Sequence, residues 1–550
     1  MQRSQTRQLM LLMLLGILFI GSGIGLRDPW PADEPRFALV ASEMIESGDW
    51  LFPRRGGELY PDKPPLFMWT QASFYQLTGS LKIAFLLPGL LAGLLSLFLV
   101  WDLARRLWDE QTAQIAAVLL LLAPQFVLFT RSGRIDGFLL AWTSLGLYGI
   151  CRHLLLGPQR RWLLIGFAGC GLGIITKGVG FLPILLFIPA LWIRISTPGQ
   201  MPYFRPGTDL VFGLVAMFAA VSIWLIPMLI QVHLSGDADL IAYRDNILFK
   251  QTGERYVAPS HHFKPWWYFP AEVIPPFWLP IFGLLPWLIP AWKKCISQGD
   301  PRIKLLLSWV VLVILFFSLS PAKRGAYILP ALPAAALISA PFIRSILSKT
   351  TVKRLIQVFC LLLLALMGVV FIYLFWIAAD KNAALIEIYK FNLIPTVVIA
   401  AIGLLIVLVS QWRHHARLYI GSWLVLWMVY GLWVYPNFDA TRSGRNLMTQ
   451  VELSLKQNQP LALVNWKEQT LLQAQRPTEN FGFLIPVEQQ IKSAINWLKA
   501  HPNGQVLLQR PDLKPCFELG ENNYVGLAHR RHWHLVGKNN VTEQCLKAVE

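Results

Sequence analysis

Long apolar runs recur along the first 436 positions, broken by short polar stretches, and then stop. The first, Leu9 to Leu26, follows Arg3 and Arg7. It is longer than a signal-peptide core and no small-x-small cleavage site follows it, so it predicts an uncleaved span. Further runs at about 82–101, 113–131, 134–151, 162–176, 178–195, 210–232, 271–291, 304–320, 326–346, 354–377, 392–411 and 418–436 bring the expectation to thirteen. From residue 437 the pattern changes. Short apolar runs (Leu461–Trp466, Gln505–Gln509) alternate with a helical periodicity over Glu488–Ala500, which predicts a small α/β domain. The expected fold class is an α-helical polytopic membrane protein of about 13 transmembrane helices over 1–436, with a small C-terminal α/β domain over 437–550.

Composition agrees. Hydrophobic residues make up 55% of the 550 and charged residues 15%, which excludes a soluble multidomain chain, a coiled coil and a disordered one. The formal charge of +18 is accounted for by positive-inside loops and anionic lipid, so no nucleic-acid partner is expected. With the N-terminus inside, the cytoplasmic loops hold nineteen Lys and Arg against five acids. An odd span count then puts the tail from about residue 437 onward outside. In that oxidising compartment Cys516 and Cys545 are predicted to pair, while Cys151, Cys170, Cys295 and Cys360 lie in or beside apolar stretches.

The informative polar residues fall on the outer side. The first outer loop, 27–80, carries Asp33, Glu34 and Arg36, then Tyr60, Asp62 and Lys63. Phe37, Val40, Ala41, Met44 and Ile45 recur there at helical spacing, predicting an amphipathic helix lying on the membrane. Asp33 has a plain alternative role as that helix's N-cap. Pro64-Pro65 presents Lys63 on a rigid turn, with interfacial snorkelling as its alternative. Arg131, Arg134 and Asp136 meet at the next outer junction, where Asp136 could simply pair with either arginine. Lys177 sits at another. Residues 233–270 contribute Arg255, His261 and His262, and Pro321–Tyr327 marks the last. Ionisable residues at so many junctions of one face suggest a shared site.

No cofactor is required by these residues. Two adjacent histidines form at most a weak metal site, Asp62 with His262. Asp237-Ala238-Asp239 matches a short metal-binding pattern by length alone, Gly169 and Gly173 are read as close helix packing, and no P-loop, Gly-x-Ser-x-Gly or His-Glu-x-x-His occurs.

An outward-facing enzyme lacks nucleotide-activated substrates, so its donor must arrive within the membrane. A lipid-linked phosphate fits: Lys63, Arg36, Lys177 and Arg255 can neutralise a leaving phosphate, and a carboxylate can serve the acceptor. Residue types alone leave a transferase and a transporter open. Transporters gather polar residues near the midplane in repeated halves; this chain gathers them at loop ends without a repeat.

Asp33-Glu34-x-Arg36-Phe37-Ala38, Ser47-Gly48-Asp49-Trp50-Leu51 and Tyr60-x-x-Lys63-Pro64-Pro65 resemble the first periplasmic loop of the GT-C membrane glycosyltransferases. Arg134-Ile135-Asp136, Thr176-Lys177-Gly178 and Phe317-Ser318-x-Ser320-x-x-Lys323-x-x-x-Tyr327 follow in the same order. The bacterial lipid A 4-amino-4-deoxy-L-arabinose transferases are the nearer resemblance, the protein O-mannosyltransferases the more distant. One departure is Asp62, where the nearer group carries Glu before the Lys. The resemblance implies inverting transfer of a sugar from undecaprenyl phosphate to lipid A or another envelope acceptor, by a monomer in the bilayer. It implies catalytic roles for Asp33 and Asp136, the donor phosphate on Lys63, Arg36 and Lys177, and a cavity lined by Glu34, Tyr60, Asp62, Tyr327 and His261 or His262. A protein O-glycosyltransferase is the alternative acceptor class, a flippase for lipid-linked sugars the non-enzyme one.

Overall fold

The computed structural model describes residues 3–197, 199, 205–254, 263–372, 415–513, 516–520, 523–529 and 531–547. Among these, seven helices are long and apolar enough to cross a membrane, and two bent pairs bring the number up to nine. The chain is thus a multi-pass, mostly helical membrane protein. The first apolar run is shorter in structure than in sequence: its apolar helix spans Gln5–Gly21, after which the chain leaves the helix. The 162–176 run forms a helix over Arg160–Ile174, and a 3₁₀ element containing Pro183 opens the next span at Gly178. The span expected at 392–411 lies outside the described residues.

The bent pairs are sharply broken. Glu110–Leu122 and Pro124–Thr130 meet at 69°, and Phe269–Phe277 and Ile281–Ser297 at 109°. Breaks at membrane depth free backbone polar groups, which are tolerated only where protein or a cavity meets them. Gln125, in the short segment after the first break, ties that segment to two neighbouring elements. Its Nε2 donates to the Gly325 carbonyl at 2.6 Å, and its Oε1 accepts from Trp278 Nε1 at 2.6 Å. Gly137 lets the Ile135–Leu156 helix rest on the short segment, since a Cβ there would meet the Phe129 carbonyl at 2.2 Å. The expected close packing at Gly173 is present too: its Cβ position lies 2.9 Å from Gly180 Cα.

At the far ends of the helices charges pair among themselves. Asp102 accepts from Arg105 (2.8 Å), Arg106 (2.5 Å) and Tyr148 (2.5 Å), and Asp209 meets His153 at 3.0 Å.

The first loop holds two short antiparallel strands, β1 (Arg54–Arg55) and β2 (Glu58–Leu59). The polar tail forms a five-stranded sheet of β3 (Leu461–Leu463), β4 (Thr478–Asn480), β5 (Gln505–Gln509), β6 (Tyr524–Ala528) and β7 (Arg531–Val536). The order is β4-β3-β5-β7-β6, with β3 parallel to both its neighbours and β7 antiparallel to both of its own. Alternation along the strands sorts two faces. Ala462, Val464, Val506 and Leu508 pack on the Val487–Ala500 helix. Leu461, Leu463, Leu507 and Trp533 pack on Leu447, Met448 and Leu39. Cys516 and Cys545 form a disulfide with Cα atoms 5.3 Å apart.

Leu39 belongs to the Glu34–Ser47 helix, which corrects one expectation. That helix does not rest in lipid. Phe37, Val40 and Met44 bury against Phe67 and Met68 of the same loop and Phe138 of the bundle, while Leu39 meets the tail. Its apolar stripe is wide enough to serve both sides.

Candidate active site

Asp33 immediately precedes the Glu34–Ser47 helix, yet its side chain makes no capping hydrogen bond. The carboxylate instead faces a cavity of about 570 Å³, with Arg324 Nη1 3.9 Å from Oδ2. Its neighbour Glu34 does the anchoring. Both Glu34 oxygens are taken, by Arg27, by the Trp30 amide (2.8 Å) and by the Gly133 amide (3.0 Å). Burial works against the Glu34 charge, but the Arg27 guanidinium and the two amides outweigh it and hold the carboxyl below its usual range. Glu34, expected as a substrate contact of the main cavity, lines only a smaller one of about 410 Å³. A buried carboxylate with three donors has little left to offer a ligand.

Tyr60, Asp62, Lys63, Arg36, Asp136, Lys177 and Tyr327 all line the larger cavity with Asp33. The Tyr60 amide donates to the Pro53 carbonyl at 2.8 Å, and the Leu66 amide to the Ile175 carbonyl at 3.2 Å. The second bond ties the Lys63-Pro64-Pro65 turn to the segment carrying Lys177. Lys63 Nζ donates to the Asp62 carbonyl at 2.6 Å. Burial, with Asp62 adding, pushes the Tyr60 phenol up, so the hydroxyl stays protonated.

Asp136 pairs with neither arginine considered for it. Lys177 Nζ lies 2.5 Å from its Oδ1 and 5.0 Å from the centre of the Tyr327 ring. Arg131 is committed elsewhere, donating to the carbonyls of Phe19, Trp427 and Ser22. Lys177 therefore carries a counter-ion already, and an incoming phosphate would have to share it with Asp136. Arg255, His261 and His262 lie outside the described residues, and with them the suggested Asp62–His262 metal site. Among the described residues no group of three or more metal-ligating side chains gathers. Asp237 has a local task, capping the Ala238–Asp245 helix through the Asp239 amide at 2.8 Å.

The sequence assigns no site role to Arg324 or Arg134, although both lie in named stretches, and does not point to Glu468. Arg324 and Arg134 line both cavities together with Asp33 and Asp136. Their motifs were visible, Arg134 beside Asp136 and Arg324 three residues before Tyr327. Glu468 gave no signal: it is a tail residue whose carboxylate accepts from Arg36 at 3.1 Å and forms an ion pair with Arg55 at 2.6 Å. Asp33 and Asp136 thus stand on the wall between two adjoining spaces, both of them lined by cations. The arrangement suits a reaction whose two partners enter from different sides.

Residues 62–226 match the family described as dolichyl-phosphate-mannose-protein mannosyltransferase. An undecaprenyl phosphate-α-4-amino-4-deoxy-L-arabinose arabinosyl transferase of Pseudomonas paraeruginosa is 29% identical over 78% of this chain and 76% of its own. The protein of that name from Pseudomonas aeruginosa is 32% identical over 62% of this chain and 59% of its own. In fold, the chain is similar to ArnT from Cupriavidus metallidurans bound to undecaprenyl phosphate. The TM-score is 0.75 at 20% identity, covering 97% of this chain and 98% of that one. The resemblance to the GT-C membrane glycosyltransferases therefore holds in sequence and in fold, and among them the chain is similar to the undecaprenyl phosphate-4-amino-4-deoxy-L-arabinose arabinosyl transferases.

Proposed function

We propose that this protein is a glycosyltransferase of the bacterial inner membrane that moves 4-amino-4-deoxy-L-arabinose, or a similar sugar, from undecaprenyl phosphate to lipid A on the periplasmic side. The observation that carries the reading is the cavity where Asp33, Lys63, Asp136, Lys177 and Tyr327 meet. It takes residues 1–436 as the membrane catalytic part with about thirteen spans, and 437–550 as a periplasmic domain.

In this reaction the bond between the sugar's anomeric carbon and the phosphate oxygen breaks while an acceptor oxygen attacks the opposite face. The leaving phosphate keeps the electron pair and is met by Lys63, a compact charge that can follow it. Asp33, on the wall shared with the smaller cavity, faces the attacking side. For a hydroxyl acceptor it takes the proton; for a lipid A phosphate no proton need move, and Asp33 steadies the charge growing on the sugar. Lys177 and Asp136 act as a pair, the lysine toward phosphate and the carboxylate toward the sugar.

Mass spectrometry of lipid A and total glycolipids, with and without the gene, tests the reading. An aminopentose on lipid A that depends on the gene supports it. A gene-dependent sugar on protein instead would favour the O-glycosyltransferase alternative, and a lipid-linked sugar that only changes sides would indicate a transporter.

A further inference from the structure

The parallel strands β3 and β5 of the tail end side by side, and the chain leaves them in opposite directions. From β3 it passes to β4 on one flank, and from β5 to β6 and β7 on the other. Such a reversal opens a crevice outside the carboxyl ends of the strands, where open α/β sheets take their ligands. Polar side chains net the strand ends together there. Asn465 Nδ2 donates to Asp512 at 3.0 Å, Gln509 Nε2 to the Asn465 carbonyl at 3.2 Å, and Arg531 to Gln509 Oε1. The crevice adjoins the first loop. Asn480 Nδ2 donates to the Gly56 carbonyl at 3.3 Å. The Arg55 guanidinium lies 3.2 Å from the centre of the Phe483 ring and 5.9 Å from that of Tyr60, so it spans from the tail to the cavity wall.

Positive charge collects along this seam. Arg36 on the cavity wall acts on Arg55, Arg55 on Lys467, and Lys467 lies in the field of Arg531. Among the described residues Glu468 and Asp512 oppose them, and Glu468 is already shared by Arg36 and Arg55. Burial, with Arg531 and then Arg55 adding, pulls the Lys467 ammonium below its ordinary value against both acids. Arg55 Nε, in a side chain 9% exposed, has no hydrogen-bond partner among the described residues. Four cations held around two acids repel one another, and an anion seated among them offsets that cost.

We propose that this crevice binds a phosphate of the acceptor's saccharide headgroup, the one remote from the reacting group. The inference rests on the lipid A reading above and adds a task for the tail. A headgroup anchored there by one phosphate reaches the cavity past Arg36, and its other end is presented to Asp33. Binding energy from the remote phosphate then serves to orient the reacting one.

The test compares bisphosphoryl and monophosphoryl lipid A as acceptors in full-length, membrane-embedded protein, with saturating undecaprenyl-phosphate-linked 4-amino-4-deoxy-L-arabinose. In the double variant Lys467→Gln with Arg531→Gln, kcat/KM for the bisphosphoryl acceptor should fall about tenfold, through acceptor KM. The monophosphoryl acceptor should change less than about twofold. Lys456→Gln, near the amino end of β3, should leave both acceptors unaffected. Equal kcat/KM for the two acceptors in wild type, or a double variant that keeps the wild-type ratio, overturns the proposal. An equal loss with both acceptors also overturns it, because the cations would then support the fold alone. Wild-type protein that transfers to neither acceptor overturns the lipid A reading itself. Independently of turnover, bisphosphoryl lipid A in nanodiscs should bind the double variant about tenfold more weakly than wild type. Equal affinity would overturn the assignment.

Discussion

Arg36 Nε and Glu468 Oε1 lie 3.1 Å apart, although 432 residues separate them in the chain. The same oxygen forms an ion pair with Arg55 Nη2 at 2.6 Å, and the Glu468 side chain is only 6% exposed. A tail residue thereby neutralises two cations of the first loop, one of which lines the cavity. Burial, with Arg36 adding, pulls the Arg55 guanidinium below its ordinary value even though Glu468 pulls the other way.

Glu468→Gln leaves two neighbouring guanidiniums without their shared counter-charge. Removing one partner from a buried ion pair costs several kcal/mol, less here because Arg36 is 29% exposed. The expected outcome is a loss of about 2–3 kcal/mol in unfolding of the purified protein, with lowered transfer activity. Unchanged unfolding would separate the tail from the site.

Much of the site was legible because its residues sit in short motifs at span ends. Asp33, Tyr60, Lys63, Asp136, Lys177 and Tyr327 all reach one cavity. What stayed hidden depends on contacts that exist only once the chain is folded. Glu34 reads in the sequence as a cavity contact, but in the fold Arg27, Trp30 and Gly133 close around it. The helix-on-membrane reading failed for a related reason: an amphipathic stripe does not say whether lipid or a domain over 400 residues away covers it. The spans were visible as hydropathy; the breaks at Ala123 and Trp278 were not, because hydropathy does not register where a helix bends.

Gln125 gives the second prediction. Gln125→Leu keeps bulk but leaves the Gly325 carbonyl and Trp278 Nε1 without partners, at roughly 1–3 kcal/mol each. Gly325 opens the 3₁₀ element that carries Tyr327. Thermal unfolding should therefore fall, and donor KM should rise as the Tyr327 wall loosens. A variant of wild-type stability and KM would show that the short segment is held by other contacts.

Glu34 predicts an acid limit. Its carboxyl is held lower in the fold than in the unfolded chain, so its contribution is complete above the unfolded value of about 4.3 and is lost as pH falls through the folded one. Glu34→Gln should be less stable than wild type at neutral pH, and the gap should narrow as pH drops below about 4. A gap independent of pH would mean that packing, not the Arg27 pair, is what the substitution removes.

Lys63→Ala should raise donor KM and lower turnover, measured in protein shown to insert and unfold like wild type. Lys63→Arg should recover only part, because a planar fork cannot follow the phosphate as a compact ammonium does. Phosphate-bearing donor bound with wild-type affinity by the Ala variant would remove the assignment.

Asp33 offers the sharpest separation of roles. Were it a helix cap, Asn would replace it with little loss, because Asn caps about as well as Asp. The structure removes the cap from consideration, since the side chain makes no bond to the helix and faces Arg324 and the cavity instead. Asn keeps the size and hydrogen-bonding capacity but loses the charge that would take a proton or oppose the charge on the sugar. Asp33→Asn should thus leave insertion, unfolding and donor binding close to wild type while turnover falls by at least ~10². A loss in kcat with donor KM unchanged places the carboxylate in the transition state; a loss in KM alone would make it a donor-binding group. Near-normal turnover would transfer the catalytic role to Asp136, the other carboxylate on the wall between the cavities.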